Sequence, residues 1–206
     1  MLSADFLHLE KDVEMVNANA DLFHLDIMDG TFVPNISYGF PVVEAIASKA
    51  ARPLDAHLMI IRPEKYVERF AKAGADMLSF HLDATENPSA VLDLIAENGM
   101  RPGLAINPDI EVERLFPYID KCGFIVLMSV FAGFGGQKFI ESTYGRVRTL
   151  KEEIIRRKAC CEIEVDGGVS AGNAAALADA GADILVAGSA VFRSGDPAAV
   201  IRAIRG

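Results

Sequence analysis

Short apolar runs alternate with longer amphipathic segments along most of the chain. The runs are mostly four to six residues long and are bounded by turn-forming residues. Runs of this kind are typical of parallel strands that are buried on both faces. They predict seven strands, at residues 22–27, 53–58, 77–81, 102–106, 124–128, 161–165 and 184–187.

The segments between these runs have the periodicity of helices. Pro63 begins one of them, apolar side chains then recur along one face, and Gly74 ends it. Pro88–Glu97 and Thr149–Lys158 show the same pattern with weaker boundaries. Strands that alternate regularly with helices predict an α/β fold with a parallel sheet.

We expect this fold to be a (β/α)8 TIM barrel formed as a single domain by residues 1–206. A short strand remnant at Met1–Ser3 would bring the count to eight. Because this segment comes first along the chain, the first strand of the barrel would be shortened. A doubly wound open sheet is the alternative architecture. It is disfavoured because no GxGxxG motif follows a first strand.

Composition and charge exclude several classes of function. The 206 residues are 51% hydrophobic, and 20 Lys and Arg against 29 Asp and Glu give a formal net charge of −9. Nucleic acids and anionic membranes require a basic face, so we expect neither as a partner. The sequence begins without the pattern of a secretory signal, which predicts a cytoplasmic protein. Cys122, Cys160 and Cys161 form neither a disulfide framework nor a CxxC motif.

Polar residues occur near the carboxyl ends of the predicted strands, where core strands should be apolar. Three pairs are spaced two residues apart and so share a strand face: His24 and Asp26, Asp55 and His57, Glu164 and Asp166. These strand ends form the mouth of a (β/α)8 barrel, where active sites lie. His81 also ends a strand, and is equally compatible with a supporting role and with simple barrel lining.

A divalent metal ion would satisfy these groups, because buried charges are rarely left unpaired. A single histidine would more often be a hydrogen-bonded core residue, but four groups converge here. The predicted ligands are His24, Asp26, His57 and Asp166. Imidazole and carboxylate ligands suit Zn²⁺, and also Fe²⁺, Mn²⁺ or Co²⁺.

Glycine-rich turns follow the last three predicted strands. They are Gly133–Gly136, Gly167–Gly168 and Gly188–Ser189. Each alone could be an ordinary turn. Together they predict a phosphate site, because closely approaching backbone N–H groups bind phosphate without any cation.

Six blocks of sequence occur in a specific order along the chain. They are His24–Asn35 (HLDIMDGTFVPN), Asp55–Met59 (DAHLM), His81–Glu86 (HLDATE), Gly133–Phe139 (GFGGQKF), Glu164–Val169 (EVDGGV) and Ala187–Ala190 (AGSA). Through these blocks the sequence resembles the ribulose-phosphate 3-epimerase family over essentially its whole length. The first and sixth of these blocks are highly specific, whereas the glycine motifs alone would be weak.

The resemblance implies a homo-oligomeric (β/α)8 enzyme of the ribulose-phosphate-binding type. It would interconvert D-ribulose 5-phosphate and D-xylulose 5-phosphate in the pentose phosphate pathway, by epimerisation at C3 through an enediolate. It places one metal ion per subunit, most simply zinc, on the four ligands already named. It makes Asp26 and Asp166 the acid/base pair on opposite faces of the substrate.

The resemblance also implies the residues that contact the substrate. The phosphate- and substrate-binding set is His57, Gly133, Phe134, Gly135, Gly136, Gly167, Gly168, Gly188 and Ser189. Met28, Met59 and Met128 would pack beside the reacting carbons. Two carboxylates are the minimal solution for this reaction, because one base cannot reach both faces of a carbon.

The sequence departs from the family pattern at two points. The family carries a Pro-Ser pair on its first strand whose Ser contacts the substrate, and that Ser would fall one position before Met1. We do not assign its role to Ser3. Phe131-Ala132 stands where the family usually has a polar residue and Pro. Losing that Pro frees the loop, which predicts a weakened activity.

Three other functions stay open from the sequence. The first is 3-epimerisation of a related ketose phosphate such as D-allulose 6-phosphate, because pocket length decides between the two sugars. The second is a metal-dependent phosphoester hydrolase that uses the same His and Asp set. The third is a phosphate-binding scaffold without catalysis.

Overall fold

A computed structural model describes all residues of the chain, Met1–Gly206. Seven parallel strands form one curled sheet in which each strand pairs with the next along the chain. The strands are β1 (Phe23–Met28), β2 (Leu54–Met59), β3 (Met77–His81), β4 (Arg101–Ile106), β5 (Phe124–Met128), β6 (Glu162–Asp166) and β7 (Ile184–Val186).

Helices connect the strands and cover the outside of the sheet. They are α1 (Leu9–Asn19), α2 (Phe40–Ala47), α3 (Val67–Lys72), α4 (Pro88–Glu97), α5 (Thr143–Arg157), α6 (Ala174–Ala180), α7 (Ser189–Phe192) and α8 (Pro197–Arg205). Three 3-10 helices add to them, at Pro63–Lys65, Leu82–Ala84 and Val112–Lys121. None of the helices is both long and apolar enough to cross a membrane.

Burial of the sheet on both faces explains its apolar sequence. Every residue of β2, β3 and β5 is buried, and the outward side chains pack with the helices into the main core. The inward face of β5 contributes Phe124, Val126 and Met128 to a separate cluster inside the barrel. Polar side chains inside this barrel are therefore removed from water, and their chemistry is that of a buried site.

The (β/α)8-type architecture predicted from the alternation is confirmed. Strands β3 and β5 have the predicted bounds, and the other five begin and end within one residue of them. The strand remnant predicted at Met1–Ser3 was wrong. These residues form a turn in which the Ala4 N–H donates to the Met1 carbonyl oxygen at 3.0 Å.

Two predicted helices have different bounds in the structure. The segment from Pro63 is divided into a 3-10 helix and α3, because the residue between them, Tyr66, has φ −116° and leaves the α-helical path. The helix predicted at Thr149–Lys158 begins six residues earlier, at Thr143. Its buried side chains already recur from the new first turn onward, at Thr143, Val147, Leu150 and Ile154.

Strands β1 and β7 are the two edges of the sheet and do not pair with each other. A cavity of about 470 Å³ opens at the carboxyl ends of the strands and continues along the gap between these edges. Its lower part is mostly apolar, with Val16, Phe23, Leu185 and Ile201 in the lining, and it also includes the charged residues Asp21, Asp183 and Arg205. Its upper part contains the polar residues described next.

Candidate active site

The cavity brings together nearly all residues predicted for the site. Its lining includes His24, Asp26, Met28, Met59, Met128, Gly133, Phe134, Gly135, Gly136, Asp166, Gly167, Gly168, Gly188 and Ser189. His57 is fully buried and does not line the cavity. The parallel arrangement explains the clustering, because residues far apart in sequence end neighbouring strands at one edge.

His24 lies between the two predicted acid/base carboxylates. Its Nε2 is 3.7 Å from Asp26 Oδ1 and 3.8 Å from Asp166 Oδ2. His57 Nδ1 approaches the same Asp166 oxygen to 3.8 Å. These separations are too long for hydrogen bonds, so the facing atoms do not satisfy one another. Asp26 approaches His24 but is not part of the compact group formed by His24, His57 and Asp166.

The donor atoms of this group fit a divalent metal ion. His24 Nε2 and His57 Nδ1 are buried and have no hydrogen-bond partner. Ligand atoms of His24, His57 and Asp166 all lie within 4.8 Å of one another. Imidazole nitrogens with carboxylate oxygens are a common set for Zn²⁺ and for other first-row divalent metals.

A second acidic cluster lies beneath this one, on the other side of the His24 ring. His24 Nδ1 lies 2.6 Å from Asp55 Oδ2 and 3.2 Å from Glu164 Oε1, and both carboxylates are fully buried. These three residues also meet the distance criterion for a metal site. In neutral His24, however, the short contact to Asp55 keeps the proton on Nδ1, which leaves the Nε2 lone pair facing His57 and Asp166.

Burial and neighbouring charges shift the pKa values of these groups strongly. Burial opposes protonation of His24, but the carboxylate of Asp55 outweighs it and raises the His24 pKa well above 6.5. Burial and the positive charge of His24 lower the pKa of His57 to about 4. The two histidines therefore differ in charge, and a metal ion at His24 must displace a proton.

The two cavity carboxylates are shifted in opposite directions. Burial raises the pKa of Asp166 to about 6. Burial acts in the same direction on Asp26, but nearby positive charge, first that of His24, outweighs it and lowers the Asp26 pKa. Burial and the Asp55 charge raise the pKa of Glu164 to about 8.

The turn after β6 can be formed only with glycine. Gly167 and Gly168 have φ of +118° and +62°, in the region that L side chains rarely adopt. A Cβ on Gly168 would lie 2.7 Å from the backbone nitrogen of Phe139, and one on Gly167 would overlap Val130. The backbone here is therefore closely packed and presents no side chain to the cavity.

Hydrogen bonds hold the Gly133–Gly136 loop beside this turn. Gln137 Nε2 donates to the carbonyl oxygens of Phe131 at 2.6 Å and Phe134 at 2.8 Å. Asn35 Nδ2 donates to the Gly133 carbonyl at 2.8 Å. The loop closes the cavity on one side, while the rings of Phe131 and Phe134 stay half exposed.

The sequence profile of the Ribulose-phosphate 3 epimerase family matches residues 1–192. The chain belongs to the ribulose-phosphate 3-epimerase family. A ribulose-phosphate 3-epimerase of Bacillus subtilis is 43% identical over 208 residues, which cover 100% of this chain and 96% of that protein. One of Helicobacter pylori J99 is 41% identical over 196 residues, covering 95% and 90%. The resemblance seen in the sequence blocks is thereby confirmed.

Solved structures more distant in sequence share the fold. A crystal structure of 3-hexulose-6-phosphate synthase superposes with a TM-score of 0.73 at 18% identity, over 98% of this chain and 96% of that chain. A mutant tryptophan synthase α-subunit of Pyrococcus furiosus has a TM-score of 0.72 at 16% identity, over 98% and 92%. At this identity the likeness shows the architecture alone.

Sequence reasoning left several residues in or next to the cavity without a role. Asp55 and Glu164 were visible in the spacing of polar residues, but only the fold places both beneath His24. Ser3 lines the cavity, with its Oγ 3.5 Å from the position a Cβ would take on Gly188. Arg146 donates to the Met128 carbonyl at 2.9 Å and so supports the end of β5. No local pattern predicts contacts of this kind, because they join distant segments.

Proposed function

We propose that this chain catalyses the reversible epimerisation of D-ribulose 5-phosphate and D-xylulose 5-phosphate at C3. Membership of the ribulose-phosphate 3-epimerase family supports the reaction. The observation that carries it is that two carboxylates, Asp26 and Asp166, line one cavity and lie 3.7 and 3.8 Å from His24 Nε2. Inversion at a carbon needs proton exchange on both faces, and two separate carboxylates can perform it.

We infer that His24 Nε2, His57 Nδ1 and the carboxylates of Asp26 and Asp166 hold one divalent metal ion. The orphaned imidazole nitrogens support this, and Zn²⁺ is the simplest choice for the donor set, with Fe²⁺, Mn²⁺ and Co²⁺ as alternatives. A divalent ion bound there would supply positive charge that stabilises the enediolate oxygens. An unperturbed aspartate, with a pKa near ~3.9, is far too weak a base to act on a sugar carbon without such help.

The two aspartates exchange roles with the direction of the reaction. One carboxylate removes the C3 proton from its face of the sugar, and the other delivers a proton to the opposite face. Met28, Met59 and Met128 line the cavity beside them and exclude water from the reacting carbons. Water exclusion matters because it strengthens the electrostatic stabilisation of the negative intermediate.

The substrate phosphate binds at the glycine-rich turns after β6 and β7. Gly167, Gly168, Gly188 and Ser189 line this part of the cavity, and the Gly133–Gly136 loop borders it. Backbone N–H groups can approach a phosphate closely where no Cβ intervenes. His57 is one of the predicted substrate contacts, but its ring is fully buried. It can take part in the site only through Nδ1, the atom that faces Asp166.

Turnover and isotope exchange test this function together. With D-ribulose 5-phosphate in D₂O, we expect D-xylulose 5-phosphate that carries deuterium at C3, without release of inorganic phosphate. Phosphate release would instead support the hydrolase, and binding without turnover would support the scaffold. Faster turnover of D-allulose 6-phosphate than of D-ribulose 5-phosphate would assign the related substrate. Metal analysis of protein purified without added metal identifies the ion.

The single-domain organisation, the homo-oligomer and the cytoplasmic location stay predictions of the sequence. Light scattering of the purified protein tests the second of these directly. A mass equal to that of one chain, 22.2 kDa, would contradict it.

A further inference from the structure

A second histidine contacts His57 at the nitrogen that does not face Asp166. His57 Nε2 lies 3.0 Å from Nε2 of His81, the last residue of β3. His81 is only 2% exposed and is absent from the cavity lining. It therefore does not touch a ligand in the cavity, and its polar contact toward the site is with His57.

The geometry of the two rings is that of an N–H···N hydrogen bond. Their planes are inclined by only 24°, and their centroids are 5.0 Å apart. The ring centroids are farther apart than the two Nε2 atoms, which are 3.0 Å from each other. Both nitrogens therefore lie between the ring centres. The rings thus meet edge to edge, where the donor hydrogen and the acceptor lone pair both lie in the ring planes.

A neutral histidine has one N–H and one lone pair, so this bond decides which nitrogen of His57 carries the proton. If His57 donates to His81, its proton is on Nε2 and the lone pair of Nδ1 faces Asp166. If His81 donates instead, His57 carries an N–H on Nδ1. That N–H would be buried with no hydrogen-bond partner, since the nearest carboxylate oxygen is 3.8 Å away.

We propose that His81 is a positioning residue that holds the proton of His57 on Nε2 and so directs the Nδ1 lone pair at the metal site. This inference rests on the proposed metal site. The partners of the two ligand histidines differ, because His24 donates to the carboxylate of Asp55 whereas His57 donates to a neutral ring. Partners of ligand histidines fix the ring and its tautomer, and their loss commonly weakens metal affinity 10–100-fold.

The surroundings of His81 keep its ring in place. The ring of Phe32, in the loop after β1, packs on it with centroids 4.9 Å apart. Asp29 Oδ1 accepts hydrogen bonds from the backbone N–H groups of Thr31 and Phe32, and Asp29 Oδ2 accepts one from that of Ile61. The loop that covers His81 is therefore fixed to the ends of both β1 and β2.

Zinc affinity of three variants tests the proposal, measured by competition with a chromophoric chelator. His81→Leu removes the acceptor, and we expect zinc binding to weaken 10–100-fold. His81→Gln places an amide oxygen near the position of Nε2, and we expect it to restore affinity to within about threefold of the unaltered chain. Ser79→Ala is the matched control, since Ser79 is buried on β3 beside His57 and its hydroxyl makes no hydrogen bond. Equal affinities of all variants, or equal losses for Leu and Gln, would overturn the proposal.

A direct measurement on the unaltered chain keeps the inference testable if the variants do not fold. Long-range ¹H–¹⁵N NMR spectra of the metal-free protein report the tautomer of each histidine. We expect His57 to be protonated on Nε2, and protonation on Nδ1 would overturn the proposal. If the protein binds no divalent metal at all, the proposed metal site is wrong. The tautomer of His57 in the metal-free protein still shows separately whether His81 holds the proton on Nε2.

Discussion

At the scale of single residues, two carboxylates in one cavity have opposite electrostatic surroundings. The pKa of Asp26 is lowered by positive charge that outweighs its burial, and burial raises that of Asp166 to about 6. Both flank His24 at nearly equal distances. In the proposed mechanism, these two carboxylates would exchange protons on the two faces of one carbon.

Replacing either aspartate should separate proton exchange from inversion. In Asp26→Asn or Asp166→Asn, only one carboxylate remains, so we expect epimerisation to fall by at least about 100-fold. The remaining carboxylate can still exchange the C3 proton of the epimer that it faces. The two variants should therefore exchange deuterium into opposite epimers, as measured by NMR of the sugar phosphates in D₂O.

Asp93→Asn is the matched control for these variants. Asp93 lies on α4, where its carboxylate pairs with Lys121 on the surface, outside the cavity lining. Its turnover should equal that of the unaltered chain. Exchange into the same epimer by both active-site variants would refute the opposed-face mechanism.

At the scale of elements, a glycine inside the barrel and a glycine on a helix surface differ in the space available for a side chain. Gly103 lies on β4, and a Cβ added there would overlap the ring of Phe124 on β5. Gly145 lies in α5, is exposed, and has nothing within 4 Å of the same added atom. Packing thus requires glycine at the first position and is indifferent at the second.

Alanine at these two positions should change stability in opposite directions. Gly145→Ala should raise the free energy of unfolding by about 0.5–1 kcal/mol, because alanine loses less backbone entropy in a helix. Gly103→Ala should lower it by about 1–3 kcal/mol through overpacking. Urea unfolding followed by circular dichroism measures both, and a gain in stability for Gly103→Ala would show that packing inside the barrel is looser than the structure indicates.

At the scale of the whole molecule, the proposed substrate is an anion and the chain itself is acidic. The formal net charge is −9, yet the phosphate turns are lined by backbone rather than by carboxylates. Four aspartates line the cavity: Asp26 and Asp166 belong to the proposed metal site, whereas Asp21 and Asp183 are paired with Arg205 and Lys151. In the proposed function, backbone N–H donors and one divalent ion would attract the phosphate where the overall charge does not.

Metal removal should affect both activity and global stability. A ligand bound only to the folded state stabilises it by about 2.7 kcal/mol at 100 times its Kd, so chelation should lower the Tm. Turnover should be lost with the metal and return when zinc is added back. In His57→Gln the Tm should respond less to the chelator, and an equal response would place the metal elsewhere in the fold.

Sequence periodicity by itself determined the strand–helix alternation, since apolar runs at fixed spacing can be buried in only a few ways. It also located His24, Asp26 and Asp166, because charged groups stand out in strands that must be apolar. Only the tertiary structure decided that Met1–Ser3 is a turn and that His57 is enclosed by His81. These outcomes depend on contacts between segments distant in sequence, which no local pattern encodes.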